Sequence, residues 1–235
     1  MIRIENLTVS HGIVQVLHEV SLNVKTGECV ALLGSNGAGK TTMLNTVSGL
    51  LQPSSGIIFF HNKPVTGLPP SRRVELGIIQ IPEGGKLFPY MTVTENLLIG
   101  ASGRREAWKT KKFSLKRVHE LFPILKERGS LQARLLSGGE RQILALGRAL
   151  MSKPNLMMLD EPSTGLAPKT VLDLYATLKT LHDGGGTILL AEQNVQQALG
   201  IATRGYVLEN GHIVIEGTSS ELLASDHVKR AYIGL

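Results

Sequence analysis

Gly34-Ser35-Asn36-Gly37-Ala38-Gly39-Lys40-Thr41 carries the spacing G-x-x-x-x-G-K-[ST]. Such a loop curls so that successive N–H groups converge on phosphate oxygens, and the positive end of the following helix adds to the field. Lys40 is then placed to reach the β- and γ-phosphates, and the Thr41 hydroxyl to ligate Mg²⁺. Thr42 is the last of the expected nucleotide-binding residues in this segment, Gly34 to Thr42. A chance glycine turn need not sit between a strand and a helix, whereas this one does. The chemistry implied is recognition of a nucleoside triphosphate.

A second constellation is Leu156-Met157-Met158-Leu159-Asp160-Glu161. Four successive apolar residues suit a strand buried on both faces, which presents Asp160 at its carboxyl end beside the phosphate loop. There Asp160 holds Mg²⁺ through its water shell. Glu161 orients and polarises an attacking water, help of a kind that contributes roughly 10²–10⁴ in rate. Pro162 ends the strand at that point.

The third is Leu136-Ser137-Gly138-Gly139-Glu140, opening a helix that continues through Arg141, Gln142, Ile143, Leu146 and Leu150. Ser137 and Glu140 have capping-box spacing, so Ser137 is the expected N-cap. Glycines at a helix start leave amides uncovered and make an anion site. Lys40 already serves the local nucleotide, so this site needs a second nucleotide or one presented by another subunit.

The elements that must position these residues follow from periodicity. Ile2 and Ile4 alternate, as do Val20, Leu22 and Val24, with turn signals at His11-Gly12 and Thr26-Gly27. Glu28 to Leu33 reads as a buried strand. A helix from Thr41 is expected to carry Met43, Leu44, Val47, Leu50 and Leu51 on one face and to stop at Pro53 to Gly56. Ile57 to Phe60, Leu156 to Leu159 and Thr187 to Ala191 read as strands, Lys169 to Leu181 as a helix. Asn210-Gly211 between two apolar runs signals a hairpin. Strands alternating with helices predict an α/β fold with a parallel sheet.

Composition sets the outer bounds. With 42% hydrophobic and 19% charged residues over 235 positions, the chain is globular, neither disordered nor collagen-like. One cysteine, Cys29, has no internal partner and points to a reducing compartment. No basic start followed by an apolar core and no run of about 18 apolar residues is visible, so neither a signal peptide nor a membrane span is expected. The net charge of +6 fits nucleic acid or an anionic membrane surface as partner. Arg104, Arg105, Lys109, Lys111, Lys112, Lys116 and Arg117 concentrate that charge, and a solvated helix face accounts for them. Trp108 and Phe113 are too few for an aromatic ladder along a nucleic-acid strand.

The three motifs, in this order and at these separations, resemble the ATP-binding-cassette family, and the resemblance covers essentially the whole chain. It implies a single ATP-binding domain over residues 1–235. That domain comprises a P-loop core with a parallel sheet, an N-terminal antiparallel β subdomain and an inserted α-helical subdomain at about 85–152. It also implies a head-to-tail pair of cassettes, in which Ser137 and Gly139, within the Ser137–Glu140 segment, contact the γ-phosphate of ATP held by the opposite cassette.

Finer features resemble the cassettes of branched-chain amino-acid importers: Pro82-Glu83-Gly84, Leu87-Phe88-Pro89-Tyr90-Met91-Thr92-Val93, Gly165-Leu166-Ala167-Pro168 and Glu192-Gln193-Asn194. By that resemblance Glu83 stands where most cassettes have a Mg²⁺-ligating glutamine, with Gln80 as a rival. Gln193 stands where most have histidine and donates an amide hydrogen bond to the γ-phosphate without a titratable proton. His11 falls where the family stacks adenine on an aromatic ring. Gly85 replaces an arginine, which predicts a looser loop there.

What the resemblance implies is an ATPase, with ATP and Mg²⁺, peripheral on the cytoplasmic face of the cell (inner) membrane. Its partners would be integral-membrane permease subunits, a second cassette (a copy or a paralogue) and, indirectly, a solute-binding protein. Nucleic acid is not expected. The alternative is a cytosolic non-transport ATPase acting on DNA or ribosomes. Only 97 positions separate Lys40 from Ser137, which leaves no room for the long coiled coil of DNA-repair cassettes, and one cassette is present where ribosome-acting chains carry two. His61, Gly184-Gly185-Gly186 and Tyr232 to Leu235 are expected to be structural.

Overall fold

A computed structural model describes residues 1–233. Gly234 and Leu235, the end of the last stretch just named, lie outside the described residues. Ten strands occur among them: β1 (Ile2–His11), β2 (Val14–Val24), β3 (Cys29–Leu33), β4 (Ser55–Phe60), β5 (Lys63–Pro64), β6 (Ile78–Ile81), β7 (Leu156–Asp160), β8 (Ile188–Glu192), β9 (Arg204–Glu209) and β10 (His212–Thr218).

The alternating N-terminal strands form an antiparallel sheet in the order β2-β1-β4-β5. Their inward residues Ile2, Ile4, Leu7, Val20, Leu22 and Val24 are buried, as period-two patterning requires. The second sheet has the order β10-β9-β3-β8-β7-β6. Pairing within it is parallel except for the β9–β10 hairpin. Asn210 and Gly211, both at positive φ, make the tight turn that joins the hairpin. Strands β3, β7 and β8 are buried at every position because both faces of this sheet are covered. Cys29, Ala31 and Leu33 enter one core while Val30 and Leu32 enter the other. Burial and the charge of Glu28 push the Cys29 thiol up to about 12, which makes it an inert packing residue.

Between the sheets run α1 (Lys40–Ser48) and α2 (Pro70–Leu76). Helix α1 is shorter than expected. Gly49 adopts φ 83° and its N–H closes on Thr46 and Asn45 carbonyls, so the helix ends before Leu50 and Leu51. Leu50 is consequently exposed, and the apolar stripe stops at Val47. Arg73 of α2 is wholly buried beneath this turn. Its guanidinium donates to the carbonyls of Thr46, Val47, Thr66 and Leu68 at 2.5–3.0 Å.

From β6 to β7 the chain is helical: α3 (Val93–Gly100), α4 (Arg105–Lys109), α5 (Lys111–Leu121), α6 (Pro123–Glu127) and α7 (Gly138–Met151). Residues of the basic run are mostly exposed on α4 and α5, but Arg104 is not free: it donates to the carbonyls of Glu75, Ser152 and Lys153. Then follow α8 (Pro168–Asp183), α9 (Val195–Leu199), α10 (Ser219–Ala224) and α11 (Asp226–Val228). Among the described residues no helix is long and apolar enough to cross a membrane.

Candidate active site

Strands β3, β7 and β8 run parallel, with Leu33 opposite Glu192 and Asp160 opposite Ala191. Their carboxyl ends therefore open together, the usual place for a ligand in such a sheet. The phosphate loop leaves β3 there. Gly39 caps α1 at φ 111°, and a Cβ at that position would lie 2.7 Å from the Leu17 side chain, so only glycine fits. No side chain caps α1, which leaves its first amides directed at a ligand.

Lys40 is 4% exposed. Its ammonium donates to the carbonyls of Gly34 (2.7 Å) and Ser35 (2.9 Å) and pairs with Glu161 Oε1 at 3.0 Å. The Thr41 hydroxyl donates to Asp160 Oδ1 at 3.1 Å. Burial pushes the Asp160 carboxyl up to about 6, and the charges of Glu161 and Glu83 add to the effect; the Thr41 hydrogen bond and Lys40 oppose it. Glu161 follows β7 with φ 42°, a conformation that costs about 1–3 kcal/mol in a residue with a side chain. Its N–H donates to Ala191 O, and its Oε2 accepts from Thr164 Oγ1 at 3.1 Å. These contacts hold the carboxylate over Lys40 despite the strain.

A cavity of about 380 Å³ results, lined by Val16, Asn36, Gly37, Gly39, Lys40, Thr41, Thr42, Glu83, Glu161 and Thr164. Glu83 therefore shares the cavity with Thr41. Gln80 does not, since its amide on β6 donates to Asn45 Oδ1 at 2.9 Å. His11, at the end of β1, reaches the rim, with Nε2 3.4 Å from Thr42 Oγ1. Gln193 is exposed just past β8, and its side chain is not part of the lining.

Ser137, Gly138, Gly139 and Glu140 are elsewhere. Ser137 Oγ accepts the Glu140 N–H and Glu140 Oε2 accepts the Ser137 N–H, closing the expected capping box on α7. That leaves the Gly138 and Gly139 amides for an outside acceptor. None of the four lines the cavity of its own chain.

The description "ABC transporter" matches residues 17–164. The chain is 45% identical to the high-affinity branched-chain amino acid transport ATP-binding protein BraG of Pseudomonas aeruginosa, with all of both chains covered. The chain belongs to the ABC transporter family. It is also 36% identical to a probable branched-chain amino acid transport ATP-binding protein, LivF, of Archaeoglobus fulgidus, over 100% of this chain and 99% of that one. Among solved structures, the ATP-binding cassette MJ1267 in its ADP conformation superposes with a TM-score of 0.85 at 29% identity, covering 100% and 99% of the two chains. A dimeric bacterial cassette, MJ0796, reaches 0.80 at 26% identity over 93% and 99%. The protein is thus a nucleotide-binding, ATP-hydrolysing transporter subunit with the α/β cassette fold. Transport subunits as relatives favour that reading over a cytosolic ATPase acting on nucleic acid or ribosomes.

Two features of the cassette lay beyond its sequence. Arg148 of α7 donates to the carbonyls of Gly85 (2.6 Å) and Lys86 (2.9 Å), so the Gly84–Lys86 turn is tied to α7 rather than loose. Glu192, a side chain 1% exposed at the end of β8, is bonded to the loop that follows Glu161. Its only sequence signal was its place in the Glu192-Gln193-Asn194 triplet.

Proposed function

We propose that the chain is the ATP-hydrolysing subunit of a branched-chain amino-acid importer. It would sit peripherally on the cytoplasmic face of the membrane beneath integral-membrane permease subunits, which a solute-binding protein would supply. The likeness to BraG and LivF supports the cargo class. The pairing of cassettes rests on one observation: the site is divided, with Lys40, Thr41 and Glu161 around one cavity, Asp160 bonded to Thr41 behind it, and the Ser137 helix start outside it.

In this reading ATP enters with its phosphates on Gly34–Thr42 and its base toward His11. The triphosphate draws Lys40 away from Glu161, freeing that carboxylate to orient water and accept its proton. Gln193 donates its amide to the γ-phosphate. A second cassette, copy or paralogue, presents Ser137–Glu140 from the other side. Mg²⁺ would be held by Thr41, Asp160 and Glu83. Those donors are hard oxygens, and among the described residues no group of three or more His, Cys, Asp or Glu forms a stand-alone metal site, which suits a cation that arrives with the phosphates. When bound, Mg²⁺ would supply positive charge that neutralises the phosphates during hydrolysis.

The test is purification of the assembly from membranes in mild detergent, identification of the co-purifying subunits, and measurement of which solutes raise its ATPase rate. Stimulation by leucine, isoleucine or valine is expected. Response to urea or short amides alone would replace the cargo, and a complex lacking permease subunits would end the transport assignment.

A further inference from the structure

Glu192 lies where three loops of the site meet. Its main-chain carbonyl accepts the Gly34 N–H at the start of the phosphate loop (3.3 Å). Its Oε1 accepts the Ser163 N–H, two residues beyond Glu161, at 3.2 Å. Its Oε2 accepts the N–H groups of Gln193 (3.2 Å) and Asn194 (3.5 Å). The Tyr175 hydroxyl of α8 is buried beside it, and the Glu192 charge helps to raise that phenol. Among the described residues no lysine or arginine pairs with this carboxylate.

A carboxylate taken out of water needs several donors, and backbone amides bound to a charged acceptor are among the stronger hydrogen bonds. An apolar residue would fill the same space without that desolvation cost. What the carboxylate adds is a fixed relation between segments that otherwise leave β7 and β8 independently. We propose that Glu192 is a positioning residue for hydrolysis: one buried carboxylate clamps the loop carrying Glu161 to the loop carrying Gln193, so that water and γ-phosphate are addressed in register. It touches neither substrate nor water itself. The inference rests on the roles given above to Glu161 and Gln193.

The test replaces Glu192→Gln in the full chain, within the detergent-extracted assembly. The amide keeps one acceptor and turns an N–H₂ toward one of the two loops, so shape is kept and the clamp is lost. The expected result is a fall in kcat of at least tenfold with KM for MgATP within threefold. In the full chain, backbone amide exchange should speed up by at least tenfold in the loop that meets the new N–H₂, at Ser163 or at Gln193, while the β7 amides of Met157 to Leu159 keep their protection. Unchanged kcat, or unchanged exchange in both loops, overturns the proposal. Should the variant fail to fold, exchange in the unsubstituted chain decides. Ser163 and Gln193 amides protected to within about tenfold of each other support a shared clamp, and a larger disparity refutes it. Glu161→Gln is assayed alongside. Full turnover in that variant removes the underlying reading, whereas a dead Glu161→Gln beside a fully active Glu192→Gln removes the clamp alone.

Discussion

Lys40 and Glu161 form an ion pair, Nζ to Oε1 3.0 Å, at the floor of the phosphate cavity. The lysine that must receive phosphate is thus held by the acid proposed to activate water. On the proposed reading a triphosphate would compete with that acid for the same ammonium, which would link nucleotide arrival to release of the carboxylate.

Glu161→Gln removes the competitor and the proton acceptor at once. ATP affinity should be kept or rise severalfold while steady-state turnover falls at least 100-fold, within the range general-base loss produces. Lys40→Ala should weaken binding and turnover together. Nucleotide titration and phosphate release measure both, and brisk hydrolysis by the Glu161 variant would falsify its assigned role.

Asp160 makes a pH-dependent prediction. Its folded value, about 6, lies above the ordinary 3.8, so the proton is bound more tightly in the folded chain. The stability this contributes is complete below pH 3.8 and is lost as pH rises through 6. In the nucleotide-free chain Asp160→Asn should therefore be more stable than the parent above pH 7, by on the order of 2–3 kcal/mol, with the gain vanishing toward pH 4. Denaturant melts across that range provide the measurement. Added MgATP should reverse the order, stabilising the parent and not the variant.

Ser137→Ala should separate the cap from the seam. Loss of the hydroxyl that accepts the Glu140 N–H costs about 1 kcal/mol, or roughly 2–4 °C in Tm for a chain of this size. If the same segment faces a partner's nucleotide, the substitution also weakens MgATP-driven pairing in a Glu161→Gln background by tenfold or more. Light scattering reads the pairing, and a melt reads the cap.

Arg73→Met should destabilise the chain by roughly 3–5 kcal/mol, because the carbonyls of Thr46, Val47, Thr66 and Leu68 lose the guanidinium at once. The expected signature is a lower denaturation midpoint with KM for MgATP unchanged in the folded fraction. A loss under 1 kcal/mol would show that water replaces the guanidinium.

Much of the candidate site is readable from local spacing, since the phosphate loop, Asp160-Glu161 and the Ser137–Glu140 box are each contiguous. Helix α1 was over-extended because Leu50 and Leu51 prolong its apolar period, although Gly49 is itself the stop signal. Nothing local distinguishes buried Arg73 from exposed Arg72; only the fold brings the Thr46 and Val47 carbonyls to it. Glu192 was visible only as part of a family-like triplet, because its partners Gly34 and Ser163 lie far away along the chain. The proposed seam is a relation between molecules, which the order of residues in one chain does not encode.

The start of α7 takes no part in lining the phosphate cavity of its own chain, and in the proposed pairing this bears on a molecule adrift among nucleotide. Such a molecule can load fuel but lacks the second hand that closes the grip. On that proposal, idling between transport events would be discouraged by architecture, and each stroke would wait until two bodies had been brought face to face.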